Sequence, residues 1–405
     1  MKSIVSGKKV FEKINELINI VDYRDPFKDH KAKKLTTGSA LALLIEAQLN
    51  ERSTLEDVSE NLRANEEWQS FVGLEDIHPS SIYRKLEKLD TRSLHQLAMN
   101  FLDDIDKDVS TKPNKKEGNL GPLHLIDGSE FSLSERDRHW AHVQKDRTSV
   151  KLHLCYVVNP EKDEKYAKDL VLSTAGFSEK EIARDDLVKD HNATYVFDRG
   201  YLWYHLYHSW IKKQIHFVAR VQQSIRYQTV EEHPVSQDSF VEHDKTVLLK
   251  DAQEDVHYET RLVIYRDKEN KRYFVVTNRW DLSAEEVAEI YRTRWQIEIF
   301  FKWIKQHFHL VRFYSHKPEA VWAQIYAAII AYGLVKQIQR EEQTNLTDAQ
   351  VLRKIRHYWY RPWENFREEL HRQPNHTSKG RRKKGRPGRP RKHPKLYKQQ
   401  RMKSI

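Results

Sequence analysis

The stretch Glu289–Leu310, EIYRTRWQIEIFFKWIKQHFHL, contains no Gly and no Pro and is rich in good helix formers, so a helix is its one regular option. At about 100° per residue, Ile290, Ile297, Phe301, Ile304 and Phe308 gather into an apolar stripe roughly 60° wide. Tyr291, Arg294, Glu298 and Lys305 gather into a second stripe of similar width, about 90° around the cylinder. Any fold of this chain must bury the first stripe. It must also line up a phenol, a guanidinium, a carboxylate and an ammonium along the helix edge. A lone carboxylate among cations adds little stability, but it suits a site that holds a metal ion beside phosphates.

Charge narrows the class of partner. The formal net charge is +11 and the pI about 9.3, which points to a polyanion. Thirteen Lys/Arg lie between Lys379 and Lys403 with no Asp or Glu, and setting them aside takes the rest of the chain to −2. A nucleic-acid surface on the body must therefore come from local placement. The single cysteine, Cys155, excludes an intrachain disulfide and a Cys-rich zinc module, which fits a reducing cytoplasm. The N-terminal residues MKSIVSGKKVFEKINELINIVDY are broken by charges before a signal-peptide core forms. Ala320–Val335, the most apolar run, has sixteen uncharged residues, which predicts a buried core helix and no membrane partner.

The pattern predicts an α/β chain. Residues 1–110 read as helical, with starts at Thr36-Thr37-Gly38-Ser39, at Thr54-Leu55-Glu56-Asp57 and, with a hydroxyl cap, at His78-Pro79-Ser80-Ser81. The last start carries Arg84 and Lys85, which suits either a helix-turn-helix reading the major groove or a helical bundle with a solvated basic face. Residues 111–122 read as a linker. Five β-rich runs with intervening helices predict a mixed sheet over 123–223, resumed at 277–340. A β-rich, turn-rich insertion falls at 224–276, further helices at 341–376, and a basic low-complexity tail at 377–405.

Two aspartates stand where an apolar strand meets a glycine turn, Asp127 in LIDGSE and Asp198 in YVFDRGY. Such positions are either turn residues or ligand sites at a sheet edge. With the helical Glu298 they form an all-oxygen set able to hold two Mg²⁺ (or Mn²⁺) ions for phosphodiester chemistry. His139 and His142 have nothing nearby to complete a zinc site and read as ordinary histidines. Lys151 and His153 alternate onto one strand face, where core or interface roles are expected.

The spacing Tyr291-x2-Arg294-x3-Glu298-x6-Lys305 matches the YREK signature, and the chain resembles the DDE transposases of bacterial insertion sequences, in the superfamily named after insertion sequence four. IDGS at Asp127, FDRGY at Asp198, VTN before the helix and RWQIEIFFKWIK through it extend the resemblance over about residues 120–340. The helical N-terminal part resembles the leader domain of one branch.

The resemblance implies an RNase H-like mixed-sheet catalytic core with a β-rich insertion, a helical N-terminal DNA-binding domain and a helical C-terminal segment. It implies that Asp127, Asp198 and Glu298 are the catalytic triad holding two Mg²⁺, and that Tyr291, Arg294 and Lys305 contact transposon-end DNA. It also implies a homodimeric synaptic complex with inverted-repeat and target DNA, in the cytoplasm at the nucleoid. Some family members hold a flipped base with a tryptophan in the insertion. Here the nearest candidate is Trp280 at its exit, for which packing against the helix start is the competing role. The tail's two Gly-Arg-Pro units, with Arg386 and Arg389, resemble minor-groove hooks. The expected activity is end binding, metal-dependent cleavage and strand transfer. A nuclease without strand transfer and a domesticated DNA-binding protein are the alternatives.

Overall fold

The computed structural model describes residues 7–25, 28–32, 34–115, 120–144, 147–308, 310 and 312–372. Arg386, Arg389 and the Gly-Arg-Pro units lie outside the described residues.

The N-terminal part is helical: α1 (Val10–Ile18), α2 (Thr37–Leu49), α3 (Leu55–Ala64), α4 (Glu66–Val72), α5 (Pro79–Leu86) and α6 (Thr91–Thr111). Thr36 caps α2 through the Ser39 N–H, and Thr54 with Asp57 forms a reciprocal capping box on α3. At α5 the cap is His78, whose ring accepts from the Ser80 N–H, with Pro79 in the first turn; the expected hydroxyl cap is replaced. The short α4 stands between α3 and α5, so the two are not joined by one turn.

The middle of the chain is β-rich. It runs β1 (Leu123–Ser132), α7 (Arg138–Ala141), β2 (His142–Gln144), β3 (Arg147–Asn159), β4 (Glu164–Thr174), α8 (Glu179–Ile182), β5 (Thr194–Phe197), α9 (Tyr204–Lys212) and β6 (His216–Val221). Four strands follow: β7 (Gln228–His233), β8 (Val241–Asp251), β9 (Val256–Arg266) and β10 (Arg272–Thr277). The chain then returns to helix with α10 (Ala284–Thr293), α11 (Trp295–His307), α12 (Pro318–Glu341), α13 (Asp348–Tyr358) and α14 (Trp363–Leu370).

The strands form one mixed sheet. β4, β3 and β1 are antiparallel neighbours, β1, β5 and β6 are parallel, and β10, β9, β8 and β7 continue antiparallel beyond β6. This α/β arrangement is consistent with the expected RNase H-like core. The β-rich stretch after β6 does not leave the sheet but widens it.

Side-chain alternation places the two cores. In β5, Val196 faces one core while Tyr195 and Phe197 face the other; β6 repeats this with Val218 against Phe217 and Ala219. A strand buried on both faces reads as a continuous apolar run, as in YVF of β5 and FVA of β6. The first core joins the sheet to α11, α12 and the N-terminal helices, with α2 and α6 packed on α12. The second lies under α9 and the strands after β6. The long apolar α12 is buried along most of its length and is fixed by polar contacts at its flanks. The Ala167 N–H donates to the Tyr332 hydroxyl (3.2 Å), and Arg340 donates to the Ile105 carbonyl (2.8 Å).

Candidate active site

Asp127 lies inside β1, not at its end. β1 stays paired with β3 through Ser132, whereas its parallel pairing with β5 stops at Ile126–Phe197. The expected strand end is therefore an end of pairing on one side only. The next residue on each parallel strand is an aspartate, Asp127 on β1 and Asp198 after β5. Register alone thus sets the two carboxylates side by side. The Gly128 N–H donates to Asp127 Oδ1 (2.8 Å) and the Gly200 N–H to Asp198 Oδ1 (2.7 Å), which orients both.

The helix carrying Glu298 is not one uniform rod. Its hydrogen-bond ladder breaks at Arg294 between α10 and α11, although φ −51° and ψ −32° keep that residue helical. There the Arg294 N–H donates to the Tyr291 carbonyl (3.1 Å) and the Ile297 N–H to the Arg294 carbonyl (3.2 Å), both three residues apart. Ser283 starts α10 with a full capping box to Glu286. The apolar stripe remains buried, Ile290, Ile297, Phe301, Ile304 and Phe308 all being 5% exposed or less.

Arg294 ties the helix to the sheet. Its guanidinium hydrogen-bonds Glu298 Oε1 and lies 3.5 Å from Asp127 Oδ2. Asp127, Gly128, Ser129, Glu298, Lys302 and Lys305 line an open cleft of about 420 Å³. Lys305 leans across it, donating to the Glu130 carbonyl (2.7 Å) with its ammonium 4.9 Å from the Phe131 ring; burial lowers its pKa. Tyr291 is buried, with the Arg220 and Arg294 guanidiniums beside it. Burial raises its pKa, with the Arg294 and Arg220 guanidiniums pulling the other way.

The electrostatics of Asp127 fit a cation. Burial raises its pKa to about 6 and the Asp198 and Glu179 carboxylates push the same way, against the Gly128 N–H and Arg294. The donors are hard oxygens, suited to Mg²⁺ or Mn²⁺. The space is kept open by missing side chains. A Cβ on Gly200 would fall 2.7 Å from Glu179 Oε2 and 3.0 Å from Asp198 Oδ1. One on Gly128 would fall 2.8 Å from Lys151 Cε and 3.3 Å from His153 Nδ1.

Glu179 is a fourth carboxylate at this site, held by an ion pair to Lys151, which also lies 3.9 Å from Glu130. Nothing in SEKE distinguishes Glu179 from its neighbours; the sheet brings it there. Lys151 and His153 line the floor behind Gly128, where His153 Nε2 lies 2.8 Å from Ser173 Oγ. Trp295, next to Arg294, is 60% exposed, and Trp280 is 47% exposed.

Other residues singled out in the sequence lie elsewhere. Lys85 is ion-paired with Asp29 (2.5 Å), both side chains nearly buried, while Arg84 beside it is exposed. His139 Nδ1 lies 3.2 Å from the Arg136 carbonyl oxygen, and the His142 side chain is exposed.

Comparison with known proteins identifies the family. The transposase DDE domain family matches residues 120–334. A protein of Geobacillus stearothermophilus named as a transposase for insertion sequence element IS5377 is 26% identical over 71% of this chain and 77% of its own length. A Sinorhizobium fredii protein named as transposase y4zB is 28% identical over 56% of this chain and 63% of its own. A transposase InsL of Escherichia coli, for insertion sequence element IS186A, is 43% identical over 14% of this chain and 16% of its own. With the family matching more than half of the chain, over the segment that carries Asp127, Asp198 and the α10–α11 helix, the chain belongs to the DDE transposase family, enzymes that act on DNA.

Proposed function

We propose that the chain binds the terminal inverted repeats of its element, cleaves the DNA there and joins the freed ends to target DNA. The reading rests on one observation above all. Asp127 and Asp198 follow the last paired residues of two parallel strands, and Arg294 links Asp127 to Glu298 across the cleft.

In cleavage, a water oxygen bonds to the end phosphorus as the bond to the 3′ oxygen breaks, leaving a 3′ hydroxyl. In transfer, that hydroxyl bonds to a target phosphorus as another phosphorus–oxygen bond breaks. Asp127, Asp198 and Glu298 would hold two divalent ions, Mg²⁺ or Mn²⁺, which would supply charge stabilisation for phosphoryl transfer. Arg294 offers a planar bidentate grip on a phosphate, and Lys305 a point charge. Tyr291 offers a hydroxyl set among Arg294 and Arg220. Lys151 pairs with Glu179, whose carboxylate adds with that of Asp198 to the negative charge around Asp127.

DNA binding extends to the N-terminal helices, chiefly through the exposed Arg84, Lys85 being held by Asp29. It extends also to Arg386 and Arg389 of the tail. Trp280, and Trp295 beside Arg294, present rings for stacking on an unpaired base. The working form is a homodimer around paired ends, at the nucleoid.

The test is Glu298→Gln with labelled element ends. It should abolish Mg²⁺-dependent cleavage and the joining of a pre-cleaved end while leaving end binding within a few-fold. Cleavage at the wild-type rate would overturn the assignment. Cleavage without joined product in the wild type would identify a nuclease instead.

A further inference from the structure

Away from this cleft, α9 and the β8–β9 hairpin bring four metal-type donors together. His205 and His208 lie three residues apart on α9, so both imidazoles leave one side of the helix. Both Nδ1 atoms converge on a single oxygen, Asp251 Oδ2 at the end of β8, at 3.0 and 2.8 Å. Glu254 Oε2, in the hairpin turn, is 3.7 Å from His208 Nδ1. Donor atoms of His205, Asp251 and Glu254 all lie within 4.8 Å of one another.

The surroundings hold these donors in place. Asp251 is fully buried, and its other oxygen accepts the backbone N–H groups of Gln253 (2.9 Å) and Glu254 (3.3 Å), which turns Oδ2 toward the histidines. The His208 ring lies flat on Tyr258, centroids 4.8 Å apart and planes within 3°. The Tyr258 hydroxyl in turn donates to the Tyr204 carbonyl (3.0 Å), fixing that stack to the start of α9. Among the described residues no Lys or Arg pairs with Asp251, whose ion-pair contacts are the two histidines alone. Lys212 instead pairs with Glu254 at 2.5 Å. The side chains of His205 (29% exposed) and Glu254 (40% exposed) leave a route in from solvent.

Two imidazole nitrogens and two carboxylate oxygens form a set that suits Zn²⁺ better than Mg²⁺. Tetrahedral zinc with bonds of about 2.0–2.1 Å sets adjacent ligand atoms roughly 3.3–3.4 Å apart. The His205–Asp251, His208–Asp251 and His208–Glu254 separations of 3.0, 2.8 and 3.7 Å bracket that value, while His205 and Glu254 lie within 4.8 Å of each other, so closing on an ion requires the side chains to shift. We propose that His205, His208, Asp251 and Glu254 form a zinc-class cation site that clips the β8–β9 hairpin to α9. The site is chemically distinct from the oxygen-only cluster at Asp127 and holds the sheet extension in place. It takes no part in the reaction.

The experiment uses the full chain stripped with a chelator, with Zn²⁺ and Co²⁺ alone as probes. One equivalent of Co²⁺ should bind with the visible absorption of a tetrahedral N/O site, be displaced by Zn²⁺ and resist millimolar Mg²⁺. His205→Ala and His208→Ala, each checked for fold by circular dichroism, should weaken binding by about a hundredfold or more. Asp127→Asn/Glu298→Gln should leave it unchanged. Three results would each overturn the proposal: no saturable binding, binding that survives both histidine variants, or binding lost with the Asp127/Glu298 pair.

Discussion

Asp127 stores electrostatic strain that can be measured without DNA. Its pKa rises from 3.8 to about 6 in the folded chain. The folded state therefore holds a proton that the unfolded state releases between those values, and stability falls as pH rises through the window. The full difference, at about 1.4 kcal/mol per unit, is about 3 kcal/mol above pH 6. The side chain is 19% exposed, and solvent screening there brings the working figure to about 2 kcal/mol. Asp127→Asn removes the charge and keeps an acceptor for the Gly128 N–H. In chelator, the variant should gain about 2 kcal/mol in urea unfolding at pH 7.5. The gain should shrink to about a third at pH 4.5, where the native carboxylate is protonated anyway. Millimolar Mn²⁺ should raise wild-type stability and leave the variant nearly unmoved. A variant that is destabilised, or stabilised equally at both pH values, would refute the account of a carboxylate raised by burial, Asp198 and Glu179.

Four further outcomes follow from the packing. His124 is pushed down to about 4 by burial and by Lys168, so the fold should lose stability as pH falls from about 6.5 toward 4, roughly 2 kcal/mol by pH 5. His124→Gln should flatten that slope in paired urea titrations. Arg261 makes a buried two-bond pair with Asp244 (both 2.8 Å) and donates to the carbonyls of Arg279 and Leu282. Arg261→Met should cost about 3–5 kcal/mol by leaving Asp244 uncompensated, and adding Asp244→Leu should recover part of it. On α11, Ile297→Ala should cost about 2–5 kcal/mol. Trp295→Ala, at an exposed position, should change stability by less than about 0.5 kcal/mol in thermal melts and lower end-DNA affinity in gel shifts.

Local rules made much of the chain readable. Ser283 with Glu286, and Thr54 with Asp57, announce helix starts because a cap and its partner sit within one turn. The strands at 123–221 are visible because period-two and continuous apolar runs follow from the pleat. Asp127, Asp198 and the Tyr291-to-Lys305 spacing were visible as chemistry, because hard carboxylates after apolar strands are unusual residues in unusual places.

What the sequence by itself determined is therefore the set of elements and the candidate side chains of the cleft, both written in residues a few positions apart. Only the tertiary structure decided which of them meet. Parallel register sets Asp127 beside Asp198, although β1 itself runs on to Ser132. Side-chain packing brings Glu179 and Lys151 into the same cluster. Asp29, 56 residues from Lys85, removes that lysine from the basic surface. The buried α12 gathers the N-terminal helices and the sheet into one core. The helix through Arg294 reads as continuous because a ladder shifted by one residue leaves the apolar period almost unchanged. Such contacts depend on burial and partner geometry across long sequence separations, and no spacing rule along the chain encodes them.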